Sequence, residues 1–386
     1  MRFPEFSGEY ESIRIGHVTE KVGSGVTPKG GESVYKKVGH PFVRSQNVGN
    51  GQMFLDDIVF IDEYTHNKQI ASEIKNGDVL LNITGASIGR CCVASNEVVG
   101  GNVNQHVCIV RPKQEILSYY LCCLLLSDKG QKQIDSFQAG GNRQGLNFEQ
   151  IKSFHFFLPR LPEQKKVAQL LTIIDERISI QNKVIEDLKQ LKTILSEISY
   201  NQSNPNCRLG DCIEQISERN KRNEDYTVLS VSNRFGFIEQ SEQFEDRSVA
   251  SEDTSNYKIV HYNDFAFNPA RINVGSIARL ITLNAGIVSP MYICFRTKKG
   301  VSPEYLEPFF STKYFSLEMD KRLEGSVRMC LSFDGLCSIR VPIPSLNSQV
   351  EIINRLASIN NKLKNEEQIY NRLLLQKQFL LSQLFI

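Results

Sequence analysis

The chain has 386 residues, of which 41% are hydrophobic and 23% are charged, and its formal net charge is +2. This length can bury two or more domain cores, and the composition is that of a globular protein. The balanced charge does not exclude nucleic acid, because only the charge of a binding face matters, whereas no apolar run approaches the roughly 20 residues of a membrane span.

Ten cysteines are present, and no two of them have the Cys-x-x-Cys spacing. Residues 1–6 read Met-Arg-Phe-Pro-Glu-Phe, which is not the apolar run of a secretory signal. We therefore expect reduced, mostly buried thiols in a cytoplasmic protein.

Short apolar runs alternate with loops in the first part of the chain. Residues 79–81 and 107–110 predict strands, and residues 115–126 predict a helix. The Gly- and Asn-rich residues 23–31 and 100–104 predict loops. This mixture is typical of an α+β domain with prominent loops, where binding residues tend to lie.

A long helix is predicted after the segment Leu158-Pro-Arg-Leu-Pro-Glu-Gln164, and the polar residues 201–206 end it. Its apolar positions alternate in spacing between four and three, which is a heptad seam with two polar interruptions. The seam residues are Val167, Leu171, Ile174, Ile178, Gln181, Ile185, Leu188, Lys192 and Leu195.

The second half of the chain repeats the first at an offset of about 185 residues. Residues 265–267 and 291–295 predict strands, and residues 302–313 predict a helix with Ser302 as its N-cap and Pro303 at its first position. A second seam matches the first, apolar for apolar and polar for polar. Its residues are Ile352, Leu356, Ile359, Leu363, Glu366, Tyr370, Leu373, Lys377 and Leu380.

The repeat predicts an α+β fold with two pseudo-repeated domains, each followed by a long helix. We place the domains at residues 1–160 and 203–344 and the helices at residues 161–202 and 345–386. The topology favours an antiparallel coiled coil between the two helices of one chain, although a homodimerising coiled coil or a simple stalk stays open.

No catalytic motif is complete. Residues 23–31 lack the Lys-Ser/Thr of a phosphate loop. Residues 268–271 read Asn-Pro-Ala-Arg, which lacks the second proline and the aromatic residue of an amino-methyltransferase motif. The six histidines have no metal-ligand spacing, and Gly-x-Ser-x-Gly is missing. An enzyme is therefore disfavoured.

Basic and amide side chains in the predicted loops of both halves are the candidate binding residues. Arg can read guanine, Asn and Gln can read adenine, and Lys or further Arg can hold phosphate. Arg143 and Arg328 occupy the same place in the two copies, although a solvated loop side chain is the alternative for each residue. The candidates are Lys29, Arg44, Asn47, Gln105, Asn142, Arg143, Gln144, Arg219, Lys221, Arg222, Asn233, Arg234, Arg271, Asn273 and Arg328.

The chain resembles the specificity subunit of type I restriction–modification systems over nearly its whole length. Besides the Leu158 to Gln164 segment, the resemblance rests on Ile173-Ile-Asp-Glu-Arg-Ile178, Arg2-Phe-Pro-Glu-Phe6, Ser24-Gly-Val-Thr-Pro28 and Asn268-Pro-Ala-Arg-Ile-Asn-Val-Gly275. The second helix departs from the pattern, because it opens with Leu346-Asn-Ser-Gln349 and lacks the Pro-Glu pair of the first.

This resemblance implies two target recognition domains, each reading one half of a split sequence in double-stranded DNA. The helices would act as a ruler and dock two methyltransferase (M) subunits, which bind S-adenosylmethionine and methylate adenine. Restriction (R) subunits that use ATP would join the same assembly. The chain itself would have no catalytic residues, cofactor or metal. The alternatives are a stand-alone DNA methyltransferase or nuclease with an unrecognised site, and a coiled-coil adaptor without DNA contact.

Overall fold

A computed structural model of the protein describes residues 1–138, 145–201, 205–240, 253–325 and 328–385. Its contacts separate two compact units, and each unit is made of a globular part and pieces of both long helices. The first unit is Met1–Asn182 with Gln368–Ile386, and the second is Lys183–Glu367.

The strands of the first unit form two sheets and one separate pair. The larger sheet has the antiparallel order β2-β8-β5-β6, the smaller has the order β4-β3-β7 with β3 and β7 parallel, and β1 pairs with β9. The strands are β1 Glu11–Arg14, β2 Thr19–Ser24, β3 His40–Val43, β4 Val59–Ile61, β5 Val79–Asn82, β6 Cys91–Val93, β7 Asn102–Val103, β8 Val107–Pro112 and β9 His155–Leu158.

Strand β5 is buried on both faces, because its successive side chains pack into two different hydrophobic clusters. Val79 and Leu81 pack into one hydrophobic cluster, while Leu80 between them packs into another. Successive side chains of a strand point to opposite faces, so a continuous apolar run fits a strand between two cores. The helices of this part are α1 Glu63–Lys68, α2 Ser118–Leu126, α3 Asp128–Ser136 and α4 Phe148–Ser153, and the first long helix, α5 Leu161–Asn201, follows them.

The second unit repeats this sheet plan. Its two four-stranded sheets have the orders β11-β18-β15-β16 and β13-β12-β17-β14, and β10 pairs with β19. The strands are β10 Cys207–Arg208, β11 Ile213–Ile216, β12 Val228–Ser232, β13 Gly236–Glu239, β14 Lys258–His261, β15 Phe265–Phe267, β16 Ile277–Arg279, β17 Ala285–Val288, β18 Ile293–Thr297 and β19 Arg340–Val341. The helices are α6 Leu209–Cys212, α7 Pro303–Phe309, α8 Lys313–Asp320, α9 Phe333–Ser338 and the second long helix, α10 Leu346–Leu384.

The order of strands confirms the duplication. The sheet β11-β18-β15-β16 matches β2-β8-β5-β6 strand for strand, and a parallel pair occurs in the other sheet of each unit, namely β3 with β7 and β12 with β17. The ion pair between Asp78 and Arg111 in the first unit reappears as Asp264 with Arg296 in the second. The predicted α+β class with two repeated domains is therefore confirmed.

A buried glutamine joins each long helix to its own domain, and we call these two residues the glutamine anchors. Gln164 accepts a hydrogen bond from the Leu117 backbone N–H at 3.0 Å and donates to the carbonyls of Glu115 and Pro159, both at 2.9 Å. Gln349 accepts from the Ser302 N–H at 2.9 Å and donates to the Gly300 and Pro344 carbonyls, both at 3.0 Å. The two anchors are equivalent bond for bond.

The heptad seam is confirmed as the inner stripe of both helices. Every predicted seam residue is buried or half-buried except Lys192, which is exposed. The start of α5 (Val167, Leu171) packs with the end of α10 (Leu380, Leu384) in the core of the first unit. In the core of the second unit, Tyr200 near the end of α5 joins Ile352 near the start of α10. Opposite ends therefore meet in each unit, which is an antiparallel pairing.

Four predicted elements differ from the structure. The helix expected over residues 302–313 ends at Phe309. The next helix, α8, begins at Lys313, where Thr312 caps it by accepting a hydrogen bond from the Phe315 N–H at 3.1 Å. The helix expected from residue 115 begins at Ser118, since the side chain of Gln164 takes the preceding N–H. The predicted loop 100–104 contains β7, which pairs with β3, and β18 begins at residue 293 rather than 291.

Candidate nucleic-acid interface

The candidate residues fall into three groups by position. Asn142, Arg143 and Gln144 lie outside the described residues. Two members, Arg44 and Asn47, are half-buried or buried within the first unit. The ten others are all exposed, and these are Lys29, Gln105, Arg219, Lys221, Arg222, Asn233, Arg234, Arg271, Asn273 and Arg328.

Asn47 is a structural residue in this geometry. Its side chain is fully buried, and its Oδ1 accepts a hydrogen bond from the Arg44 N–H at 2.9 Å. Its Nδ2 donates to the Phe54 carbonyl at 3.0 Å and to the Asp57 carboxylate at 2.8 Å. An amide that is enclosed and bonded in this way cannot reach a base, so the geometry argues against the predicted DNA contact at Asn47.

Two further candidates of the first unit are engaged with their neighbours. Arg44 donates to the Asp57 carbonyl at 2.7 Å, and its guanidinium lies 5.7 Å from the centre of the Tyr35 ring. Gln105 is exposed, and its Oε1 accepts from the Thr27 N–H at 2.9 Å. A DNA contact by either side chain would have to replace or share these bonds.

The candidates of the second unit are freer. Arg219 donates to Asn256 at 3.0 Å, and Arg222 lies 4.0 Å from Glu224. The guanidinium of Arg234 lies 5.7 Å from the centre of the Phe235 ring. Such surface contacts are weak and can be exchanged for phosphate or base contacts at little cost.

The structure brings Asn233 and Arg271 together at one cavity of about 320 Å³ in the second unit. The buried lining residues form its floor, and these are Leu229, Ser230, Val231, Ser276 and Tyr292. The exposed lining residues form what we call the rim, and these are Asn233, Arg271, Val274 and Met291. Half-buried lining residues, including Asn268, Tyr257 and Ser289, lie between them.

Local hydrogen bonds explain the shape of the loop that carries Arg271. Asn268 accepts a hydrogen bond through its Oδ1 from the Ala270 N–H at 3.1 Å. The Arg271 carbonyl accepts from the N–H groups of Val274 and Ser276 at 3.2 Å and 3.1 Å. The loop closes with Gly275 at φ +87°, a conformation that favours glycine because it has no Cβ. The sequence Asn-Pro-Ala-Arg therefore codes a tight turn.

Sequence reasoning missed Asn268, Tyr257, Ser289 and Met291 as members of this cavity. The Asn268 turn carried a usable signal, since polar residues precede a Gly that needs positive φ. The other three come from separate strands and loops, and they meet Asn268 only through the fold.

Two classes of site are not found in the part of the chain that the structure describes. There, no group of three or more His, Cys, Asp and Glu side chains is arranged to hold a metal ion. Among the same residues, no helix combines the length and the apolarity that crossing a bilayer requires.

Comparison with known proteins finds that the chain is similar to specificity subunits of type I restriction–modification systems. Residues 7–190 match the family model of the type I restriction modification DNA specificity domain. A Methanocaldococcus jannaschii protein, provisionally described as the MjaX specificity subunit of a type I restriction enzyme, is 23% identical over 95% of this chain and 91% of its own length. The EcoKI specificity subunit of Escherichia coli K12 is 22% identical over 39% of this chain and 32% of its own.

Solved structures have the same fold. A chain from a study of the assembly and conformational transition of a type I system has a TM-score of 0.61 at 15% identity, covering 98% of this chain and 97% of that one. The specificity subunit of the type I system of M. genitalium has a TM-score of 0.55 at 14% identity, covering 100% and 99%. The resemblance expected from the sequence is confirmed.

Proposed function

We propose that this chain is a specificity subunit of a type I restriction–modification system and that it reads the two halves of a split target in double-stranded DNA. Residues 1–160 and 203–344 would be the two readers. The observation that supports this most directly is the duplication itself, since both units join their domain to a long helix through an equivalent glutamine anchor. Two alike domains held in the same way suit two similar recognition tasks.

The long helices would dock two identical M subunits. Leu161 and Leu346 are equivalent positions at the starts of the two helices, and both are exposed. Ile194 and Phe379 are equivalent further along, and they are 53% and 55% exposed. Large exposed apolar side chains on a helix are typical of a partner surface. Because these repeat between the halves, one asymmetric chain can offer two similar sites to two copies of one partner.

The M and R subunits would carry the chemistry of the assembly. The M subunits would bind S-adenosylmethionine and methylate adenine, and R subunits that use ATP would join through the assembled complex. The contribution of this chain would be sequence choice, with no catalytic residue and no cofactor of its own. We place this work in the cytoplasm, where the ten cysteines stay reduced.

Two other functions make different predictions. A stand-alone methyltransferase or nuclease would bind S-adenosylmethionine or cleave DNA as the purified chain alone. A coiled-coil adaptor would not retard bipartite DNA in a gel, with or without the M subunits. The proposed specificity subunit should retard such DNA together with its M subunits. Without them, it should neither bind S-adenosylmethionine nor cleave DNA.

A domain exchange tests the proposal most directly. The strand pairs β1–β9 and β10–β19 close the two domains, since Glu11 lies opposite Leu158 and Cys207 lies opposite Val341. These pairs are natural graft points. Residues 11–158 would be exchanged for those of a relative, and residues 380–385 would go with them because Leu380, Leu381, Leu384 and Phe385 belong to the same core.

The methylated sequence would then be mapped in cells that also contain the M subunits. We expect one half of the target to change and the other half to stay the same. Exchange of residues 207–341 should change the opposite half and is the matched control. A change in both halves after either exchange would contradict separate reading.

A further inference from the structure

We propose that the rim of the second-unit cavity reads a guanine of the second half-target, with Arg271 as the residue that determines specificity. This inference rests on the proposed function and assigns one reading position within it. The partner is the edge of a G·C base pair, which displays the N7 and O6 acceptors of guanine.

The hydrogen-bonding groups of the rim are available for a ligand. Within the described part of the chain, the guanidinium of Arg271 and the amide of Asn233 make no hydrogen bond or ion pair. Between the rim and the floor, the Nδ2 of Asn268 has only a weak contact, 3.9 Å from the Met291 sulfur. A free guanidinium presents planar paired donors, which suit the two guanine acceptors better than a single ammonium does.

Apolar groups stand beside these donors. Met291 and Val274 belong to the rim, and their side chains are 60% and 51% exposed. Apolar side chains in contact with a base edge recognise the thymine methyl group or exclude water from a neighbouring hydrogen bond. A rim that combines free planar donors with exposed apolar groups has the chemistry of a base-reading surface, whereas a phosphate-binding surface needs only positive charge.

The floor holds the rim in place. Ser276 donates to the Val231 carbonyl at 3.0 Å, and the Tyr292 hydroxyl accepts from the Val231 N–H at 3.3 Å. Lys258 donates to the Tyr292 carbonyl at 2.6 Å. These bonds fix the loop of Arg271 and the strand before Asn233 to one framework. A donor held in advance in this way discriminates bases better than a mobile one.

The first unit has no guanidinium at the position equivalent to Arg271. Gly85 occupies the position equivalent to Arg271, and Asn82 occupies that of Asn268. Asn82 is fully buried, and its Nδ2 donates to the Ser45 carbonyl at 2.9 Å. Thr84 bonds to His106 at 2.6 Å beside it. The two domains therefore cannot read DNA through equivalent side chains here, and the role of Arg271 belongs to the second half-target alone.

The test uses the full chain with its M subunits. The methylated sequence would be mapped for the wild type and for Arg271→Ala, Arg271→Lys and Arg340→Ala. Arg340 is the control, since it is an exposed arginine of the same unit that is not among the candidate binding residues, and its guanidinium donates to the Pro205 carbonyl at 3.4 Å. Duplexes carrying the mapped target, with single substitutions at each base pair, would serve as binding probes. Thermal melting would verify that each variant is folded.

We expect Arg271→Ala to lower discrimination at one guanine of the second half-target by about 5- to 150-fold and to leave the first half unchanged. Arg271→Lys should not restore it, because lysine lacks the paired donors. Arg340→Ala should leave discrimination unchanged at every position of the target.

Three results would overturn the inference. One is an equal loss of affinity on all duplexes, restored by lysine, with the salt slope reduced by about one, which marks a phosphate contact. Another is unchanged discrimination in a folded Arg271→Ala complex. The third is a change confined to the first half-target. A wild-type complex that methylates no bipartite sequence would instead refute the proposed function, and the reading position would fall with it.

Discussion

Lys377 of α10 forms an ion pair with Asp175 of α5, with its Nζ 2.6 Å from the Asp175 Oδ1. The other carboxylate oxygen of Asp175 accepts a hydrogen bond from the Tyr119 hydroxyl at 2.6 Å. Burial raises the pKa of Tyr119 well above its ordinary value, so the phenol stays a donor at neutral pH. The pair ties both long helices to α2 of the first unit.

The repeat does not reproduce this pair. The equivalent positions are Lys192 and Asn360, and both are exposed. The ion pair is therefore a feature of the first unit that the equivalent residues of the second unit do not form. A polar contact at a single seam position is a known means of fixing register in coiled coils.

Lys377→Met should lower the free energy of unfolding by about 1–3 kcal/mol, because Asp175 would keep its charge without its cationic partner. Lys192→Met changes the equivalent exposed lysine, and we expect less than about 0.5 kcal/mol from it. Urea denaturation of the two variants measures the difference. Equal losses would show that the ion pair with Asp175 adds no stability beyond that of an exposed seam lysine.

The glutamine anchors should stabilise their own units independently. Gln164→Leu removes three buried hydrogen bonds and leaves their backbone partners unpaired, so we expect a loss of about 2–4 kcal/mol. Hydrogen exchange should quicken within Met1–Asn182, whereas Gln349→Leu should have this effect within Lys183–Glu367. Gln190→Ala, at an exposed position of α5, is the control and should change neither. Faster exchange in both units from one anchor variant would argue against independence.

Lys29→Ala and Asn47→Ala should separate DNA contact from structure. Lys29 is exposed, so its loss should weaken binding to all duplexes alike and reduce the salt slope by about one if it holds a phosphate. Asn47→Ala should lower the melting temperature without changing the sequence that is methylated, because its amide bonds are internal. A changed target with unchanged stability in Asn47→Ala would mean that Asn47 reads a base.

The proposed M-subunit docking depends on the exposed apolar side chains of the helices. Ile194→Asp and Phe379→Asp each place a charge at one of two equivalent positions, so each should weaken binding of one M subunit by at least about tenfold. Mass measurement of the complex should find one bound M subunit instead of two at limiting concentration. Gln190→Asp supplies the same charge at a polar exposed position and should leave both in place. Two M subunits bound by both variants would remove these residues from the interface.

The repeat, the long helices and their seam could be predicted because they depend on periodicity, which is a local property of the sequence. Lys192 and Lys377 mark the limit of this reasoning. They occupy equivalent seam positions, yet only Lys377 is covered, because Asp175 faces it and Asn360 replaces Asp175 in the other copy. A seam pattern predicts which face is inside, whereas the environment of one polar residue depends on its cross-helix partner.

The candidate site was less predictable for the same reason. Asn47 and Asn233 are both amides in loops, and nothing in their neighbouring residues distinguishes the buried one from the exposed one. The difference comes from Asp57 and Phe54, which fold back onto Asn47. The cavity likewise joins residues from separate strands and turns, so its membership follows from the sheet topology.

The first unit is built from two separate stretches of the chain, and this has a consequence for its folding during synthesis. Leu380, Leu381, Leu384 and Phe385 belong to the same core as Ile13 and Val79. Domains made from one continuous stretch can fold while the ribosome is still adding later residues. The first domain of this chain cannot complete its core in that way, since part of it is translated after the whole of the second domain. Until those residues are made, the nascent chain exposes hydrophobic surface of its first domain. The domain that is translated first is therefore the one whose core is completed last.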